Sequence, residues 1–89
     1  MPQRTAVVAS SVGLHARPAS LFSQAAGKVG LPVTIANTAG ASANAASILA
    51  VLSLGVGHGE TVTLTAEGER ADAALDTLVE LLETDPDAS

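Results

Sequence analysis

The 89-residue sequence contains no cysteine, tryptophan or tyrosine, and it has a single phenylalanine. The absence of cysteine excludes disulfides and thiolate metal sites. With one aromatic residue, the core must be built from Ala, Val, Leu and Ile, which supply most of the 47% hydrophobic content. Because only 15% of residues are charged, the composition indicates a folded protein and not a disordered chain. Its length predicts one domain over residues 1–89.

Basic residues are also scarce. The sequence has four Lys and Arg residues and nine Asp and Glu residues, which gives a net charge of −5. Nucleic acids and anionic lipids are bound through phosphate contacts from Lys and Arg, so neither is an expected partner. No apolar run approaches the ~20 residues that span a bilayer, and the N-terminus does not resemble a signal peptide. We therefore expect a soluble, cytoplasmic protein that is not inserted in a membrane.

The residues available for chemistry are few. The sequence has two histidines, no cysteine and dispersed carboxylates, so no group of its residues has the usual spacing of metal ligands. The phosphate-binding loop of nucleotide hydrolases is missing as well. We therefore expect no metal and no cofactor. His58 lies between two glycines in a predicted loop, and we assign it to solvent.

The spacing of apolar residues predicts an alternation of strands and helices. Four strands are predicted at Gln3–Ala9, Val33–Ala36, Ala41–Ala43 and Glu60–Ala66, and three helices at Ala16–Val29, Asn44–Leu54 and Ala71–Glu83. The order β-α-β-β-α-β-α indicates an α+β fold with helices on one face of a mostly antiparallel sheet. In the last strand, threonines alternate with apolar residues, which predicts that the other face of the sheet meets water.

His15 and Arg17 stand out at the predicted start of the first helix. Proline is favoured at the first position of a helix, so Pro18 predicts a helix start close by and places His15 just before a helix N-terminus. The unpaired amides and the dipole at such an end favour an anion, and the planar guanidinium of Arg17 suits phosphate oxygens. This setting is suitable for reversible phosphorylation of His15. On spacing alone, His15 is also consistent with an ordinary surface histidine.

The predicted helix Asn44–Leu54 is apolar nearly all round. Val51 and Leu54 share one side of it, and Ile48, Leu49 and Leu52 occupy most of the other. Because full burial of a helix is difficult in so small a domain, we favour one face packed inward and one offered to partners. An ordinary core helix remains the alternative. Asn44 or Ser47 is the expected N-cap.

The two motifs together, Gly13-Leu14-His15-Ala16-Arg17-Pro18-Ala19 and the segment from Asn44 to Gly55, resemble HPr. HPr proteins are the histidine phosphocarriers of the bacterial phosphoenolpyruvate-dependent sugar phosphotransferase system. The resemblance covers essentially the whole chain in length, element order and motif spacing. It implies an open-faced β-sandwich, with a four-stranded antiparallel sheet covered on one face by three helices. It also implies a carrier and not an enzyme.

The resemblance also implies roles for individual residues. His15 would be phosphorylated on Nδ1 by phospho-enzyme I and would donate the phosphoryl group to sugar-specific IIA domains. Arg17 would match the active-site arginine. Ile48, Leu49 and Leu52 would form the apolar docking patch, with Leu21 beside it. We expect a monomer, because a carrier must expose this patch to its partners.

This sequence departs from the family pattern in two places. Ser47 matches the regulatory serine of some members, but Ala46 stands where many of them have a lysine. Ser47 is therefore either a regulatory phosphorylation site or only a helix cap. Gln24 and Gly27 occupy positions where some relatives carry lysines, which predicts docking that relies more on apolar contact. The alternatives are an HPr-like regulatory binding module, a carrier in a non-sugar phosphorelay, and a domain that holds a small anion statically.

Overall fold

The structure, a computed structural model, describes residues 2–9 and 16–83. It contains four strands and three helices in the predicted order. These are β1 (Gln3–Val7), α1 (Ala16–Lys28), β2 (Val33–Ala36), β3 (Ser42–Asn44), α2 (Ile48–Ser53), β4 (Thr61–Ala66) and α3 (Ala71–Glu83). The bounds of β2 and α3 match their predictions at both ends. The predicted α+β class and element order are confirmed.

The four strands form one antiparallel sheet in the order β1-β4-β2-β3. Alternation along β4 separates its two faces, because Val62, Leu64 and Ala66 are buried while the intervening threonines are half-buried. The buried side meets the helices, and no helix of the described residues covers the threonine side. The structure is therefore the expected open-faced β-sandwich.

One hydrophobic core joins the sheet to the helices, and it is almost entirely aliphatic. Its largest fully buried side chains are Phe22 from α1, Ile35 from β2, Leu64 from β4, and Leu75 and Leu78 from α3. The apolar stripes predicted for α1 and α3 point into this core, and the two helices also contact each other. Burial of a side chain of this size contributes about 1.5–3 kcal/mol, so packing of the stripes determines how the helices are oriented.

The edge strand β1 is fastened to α3 by polar contacts. The guanidinium of Arg4 bonds the carboxylates of Asp72 at 2.9 Å and Asp76 at 3.3 Å. These hydrogen bonds, chiefly that to Asp72, raise the pKa of Arg4. The backbone N–H of Val7 donates to a carboxylate oxygen of Glu83 at 3.4 Å. The end of α3 thus occupies part of the hydrogen-bonding edge that β1 would otherwise leave open.

The predicted helix Asn44–Leu54 was wrong over its first four residues and at its last, because α2 covers Ile48–Ser53 and Leu54 is its C-cap. Asn44 ends β3 and pairs with Thr34, and the Ala45 N–H donates to the Val33 carbonyl at 2.9 Å. The side-chain oxygen of Asn44 then accepts from the Ala46 N–H at 2.9 Å, which forms a turn. Pairing with β2 therefore holds extended backbone where the local pattern favoured a helix. Asn44 is not the cap.

Other predicted boundaries differ by one or two residues. The first strand ends at Val7 and not at Ala9, although the Val8 N–H still bonds the Glu60 carbonyl at 3.0 Å. The first helix ends at Lys28 and not at Val29. The third strand covers Ser42–Asn44 instead of Ala41–Ala43, and β4 begins at Thr61 and not at Glu60. Element ends depend on single hydrogen bonds, which local patterns do not specify.

Two glycines allow a matched test of backbone strain. Gly68 has φ +125°, and a Cβ there would lie 2.8 Å from the side chain of Leu31, whereas a Cβ on Gly27 in α1 would meet nothing within 4 Å. We expect Gly68→Ala to lower the free energy of unfolding by about 1–3 kcal/mol. Gly27→Ala should raise it by roughly 0.5–1 kcal/mol, because alanine favours a helix. Urea unfolding measures the free energy of unfolding of both variants. The same change in that free energy for Gly68→Ala and Gly27→Ala would contradict the assignment of strain to Gly68.

Candidate functional site

Helix α1 begins at Ala16, so Arg17 lies in its first turn. This is where the sequence predicted the helix start. His15 directly precedes the helix but lies outside the described residues, and its role stays a prediction. Arg17 is exposed, and the first turn contains no acidic residue that would neutralise the positive end of the helix. The described part of this end therefore places the Arg17 side chain at the surface.

The buried stripe of α1 explains why Arg17 faces outward. Ala19 and Phe22 are fully buried, and α1 packs against α2 and α3. Residues at i, i+4 and i+7 share one face of a helix, so Arg17, Leu21 and Gln24 form a row on the outer side. All three are exposed.

Helix α2 presents one face to the core and the other to solvent. Val51 is fully buried, whereas Leu49 is 78% exposed and Ile48 is 37% exposed. Leu52, predicted on the outer side with them, is half-buried and packs against the core. The prediction of one inward and one outward face is confirmed for Val51, Ile48 and Leu49. Leu52 lies between the two faces.

The outward face of α2 adjoins the outer row of α1. Gln24 and Ser20 of α1 line a small cavity together with Ala46 and Ile48 at the start of α2. Leu21, on the same row as Gln24, is 39% exposed. Leu21, Ile48 and Leu49 are exposed apolar residues of these two helices, and they are called the docking surface below after the role that the sequence predicted for them. This surface lies on the two helices whose residues carry both sequence motifs.

Ser47 caps the start of α2. It has extended backbone with φ −102° and ψ 109°, and its hydroxyl oxygen accepts from the Ala50 N–H at 3.4 Å. The hydroxyl is thus engaged in the local structure that places Ile48 and Leu49. The sequence predicted either Asn44 or Ser47 as the N-cap, and in the structure the N-cap is Ser47.

Asn37 has a positioning role that the sequence prediction missed. Its side-chain N–H donates to the Leu54 carbonyl at the end of α2 at 3.2 Å. Its side-chain oxygen accepts from the amides of Ala39 at 3.1 Å and Ala41 at 3.0 Å. The polar turn after Asn37 is a local signal for the second pair of bonds. The bond to Leu54 joins residues 17 apart, so only the fold reveals it.

The other chemical candidates do not form a site among the described residues. Within residues 2–9 and 16–83, no three His, Cys, Asp or Glu side chains are grouped to hold a metal ion. In the same part of the chain, no helix has the length and apolar character required to cross a membrane. His58 is exposed in the loop between α2 and β4, as predicted.

The fold and the described end of α1 define a class of protein: an open-faced β-sandwich with an exposed arginine in the first turn of the first helix. A family model described as "PTS HPr component phosphorylation site" matches residues 2–84. The chain therefore belongs to the HPr family of the phosphotransferase system.

Individual relatives agree with this family. The chain is 50% identical over 82 residues to the phosphocarrier protein HPr of Streptomyces coelicolor, covering 92% of this chain and 88% of that protein. A crystal structure of HPr from Bacillus anthracis is similar with a TM-score of 0.86 and 37% identity, covering 91% of this chain and 95% of the other. An HPr dimer from Thermoanaerobacter tengcongensis matches with a TM-score of 0.71 and 40% identity, at 93% and 94% coverage.

Family membership determines the kind of activity. The protein is a phosphocarrier of the phosphotransferase system and not an enzyme. It acts together with the enzymes of that system.

Two substitutions of Ser47 test whether its contribution to stability comes from capping α2. We expect Ser47→Ala to lower the free energy of unfolding by about 1 kcal/mol, because an orphan N–H of α2 loses its acceptor. Ser47→Asp should stay close to the parent protein, since aspartate caps a helix equally well and its charge suits the helix start. Urea unfolding measures both variants. A loss for Ser47→Asp as large as that for Ser47→Ala would contradict the capping assignment.

Proposed function

We propose that His15 accepts a phosphoryl group on Nδ1 from phospho-enzyme I and donates it to sugar-specific IIA domains. The main support is the position of Arg17, exposed in the first turn of α1 with no acidic residue in that turn. His15 adjoins this turn in the sequence. The protein would carry out this role in the cytoplasm, as a single domain over residues 1–89 and without a cofactor.

The chemistry requires little from the carrier beyond alignment and charge. In the first step the lone pair of neutral His15 Nδ1 attacks phosphorus, and the donor's bond to phosphorus breaks as the new N–P bond forms. The second step repeats this exchange with His15 as the leaving group and the IIA domain as the acceptor. Phosphoryl transfer depends mostly on positioning and electrostatic stabilisation. The planar N–H donors of Arg17 are suited to the oxygens of the transferred group.

The docking surface supports recognition of both partners by the same face. Leu49 is the most exposed large apolar side chain among the described residues, and Ile48 and Leu21 extend the area beside it. Exposed apolar groups of this kind are typical of interaction sites. Leu52, which is partly buried, follows Leu49 by one helical turn, and we propose that it contacts the partners beside the docking surface. A carrier must leave each partner quickly, so we expect an interface of modest area. We expect a monomer, because a carrier must leave this face open to its partners.

Ser47 is assigned here to capping. Its hydroxyl already accepts a hydrogen bond within α2, and Ala46 replaces the lysine that many relatives have before the regulatory serine. Phosphorylation of Ser47 by a dedicated kinase remains what the family resemblance implies. This phosphorylation has less support from the structure than the capping role of Ser47 has.

The proposed acceptor is tested by incubation with labelled phosphoenolpyruvate and enzyme I. We expect acid-labile label on the parent protein and none on His15→Ala, because no other group would replace the ring nitrogen. The matched control is His58→Ala, which removes the chain's other histidine and should retain full labelling. Label that persists in His15→Ala, or that disappears in His58→Ala, would refute the proposal. Saturable anion binding without a covalent product would support the static anion-binding alternative.

The docking surface is tested by placing a charge on it. We expect Leu49→Asp to slow phosphoryl transfer roughly ten- to a hundredfold, because buried interface anchors typically contribute about 2 kcal/mol or more. Stability should change little, since Leu49 is 78% exposed. Val7→Asp is the matched control, because Val7 is an exposed apolar residue on the edge strand β1. Stopped-flow transfer and urea unfolding measure both variants, and equal transfer rates would argue against the surface.

A further inference from the structure

A cavity at the far end of α1 brings together two of the chain's four basic residues. Lys28 in the last turn of α1 and Arg70 just before α3 line a cavity of about 260 Å³ between the two helices. The remaining walls are formed by Val29, Ala73, Ala74 and Thr77. Of the seven Asp and Glu residues within residues 2–9 and 16–83, none lines this cavity. This local reversal of charge is unexpected in a protein with a net charge of −5.

Neither cation of the cavity is neutralised within the described residues. Arg4 forms ion pairs with Asp72 and Asp76, whereas within residues 2–9 and 16–83 neither the Lys28 ammonium nor the Arg70 guanidinium forms an ion pair or a hydrogen bond. Arg4 also engages Asp72 and Asp76, the two acids nearest to the cavity on α3 in sequence. The two α3 carboxylates nearest to Arg70 in sequence are thus hydrogen-bonded to Arg4 of β1.

The position of Arg70 is itself electrostatically unfavourable. A cation next to the N-terminus of a helix faces the positive end of the dipole, whereas Lys28 at the end of α1 is favourably placed. Bringing a second cation to the same cavity adds repulsion to the site. A bound anion would relieve both effects, because it would interact favourably with Lys28 and Arg70 at once.

The size and lining of the cavity limit the kind of anion. Its volume of about 260 Å³ lies just below the range of typical drug-sized ligand pockets, so it suits a small ion or metabolite. Thr77 donates its hydroxyl proton to the Ala73 carbonyl at 3.1 Å, so the donors facing a ligand come from the two cations. We propose that Lys28 and Arg70 form a binding site for a small phosphate-type dianion, free or as a phosphomonoester.

This site is separate from the proposed phosphorylation site. Arg17 and Lys28 lie 11 residues apart on α1, which corresponds to about 16 Å along the helix axis. Binding at the cavity therefore does not need His15, and it can be tested without enzyme I.

The test is a ¹⁵N–¹H NMR titration of the full chain with inorganic phosphate, with chloride adjusted to hold ionic strength constant. We expect saturable shifts in the amides of Ala73, Ala74 and Thr77. Lys28→Gln and Arg70→Gln should each weaken this binding roughly tenfold, because a charge-assisted hydrogen bond is lost. Both side chains are exposed, so neither variant should impair folding. Arg4→Gln is the matched control and should retain the parent affinity.

A second titration with glycerol 3-phosphate distinguishes the two sources of the dianion. Tighter binding than inorganic phosphate would assign the site to a phosphorylated small molecule, and equal affinity would assign it to the ion alone. The proposal is overturned if the α3 amides do not shift, if chloride produces the same shifts, or if the shifts survive in both Lys28→Gln and Arg70→Gln. Shifts confined to the first turn of α1 would report binding near Arg17 and would also overturn it.

Discussion

Burial of the apolar stripe of α1 is the constraint on which the described site depends. Phe22 and Ala19 are fully buried, and α1 packs against α2 and α3. Once this stripe is buried, the row that contains Arg17, Leu21 and Gln24 must face solvent, because it lies on another side of the same helix. The outward position of the arginine is thus a consequence of core packing. Loss of that packing would disturb the site without altering any of its polar groups.

The short helix α2 contributes the other half of the docking surface, and six residues are too few to form a stable helix alone. Its geometry is imposed from outside: Ser47 caps its start, Asn37 binds the carbonyl of Leu54 at its end, and Val51 anchors its middle in the core. These contacts leave Leu49 and Ile48 exposed. The contacts of α2 thus keep two large apolar side chains at the surface, as the proposed docking of partners would require.

The accuracy of the sequence predictions varied with the kind of signal that supported them. The alternation along β4 and the stripe of α3 are strong periodic patterns, and their elements agree with the structure to within a residue. The helix predicted from Asn44 was wrong over its first four residues, because pairing of β3 with β2 holds Asn44 extended and its side chain then closes a turn at Ala45 and Ala46. Leu52 was placed on the outer face by the helical wheel, but it is partly covered by the core.

The sequence by itself determined the fold class, the start of α1 beside Arg17 and the apolar character of α2, because each depends on local periodicity or on the fixed geometry of proline. It also carried the two motifs that match the HPr family. Only the tertiary structure decided that Leu52 is partly covered by the core, how Asn37 binds the end of α2, and that Lys28 and Arg70 share one cavity. These features join residues that are distant in the chain, and no local pattern specifies which distant groups the packing of helices and strands will bring together.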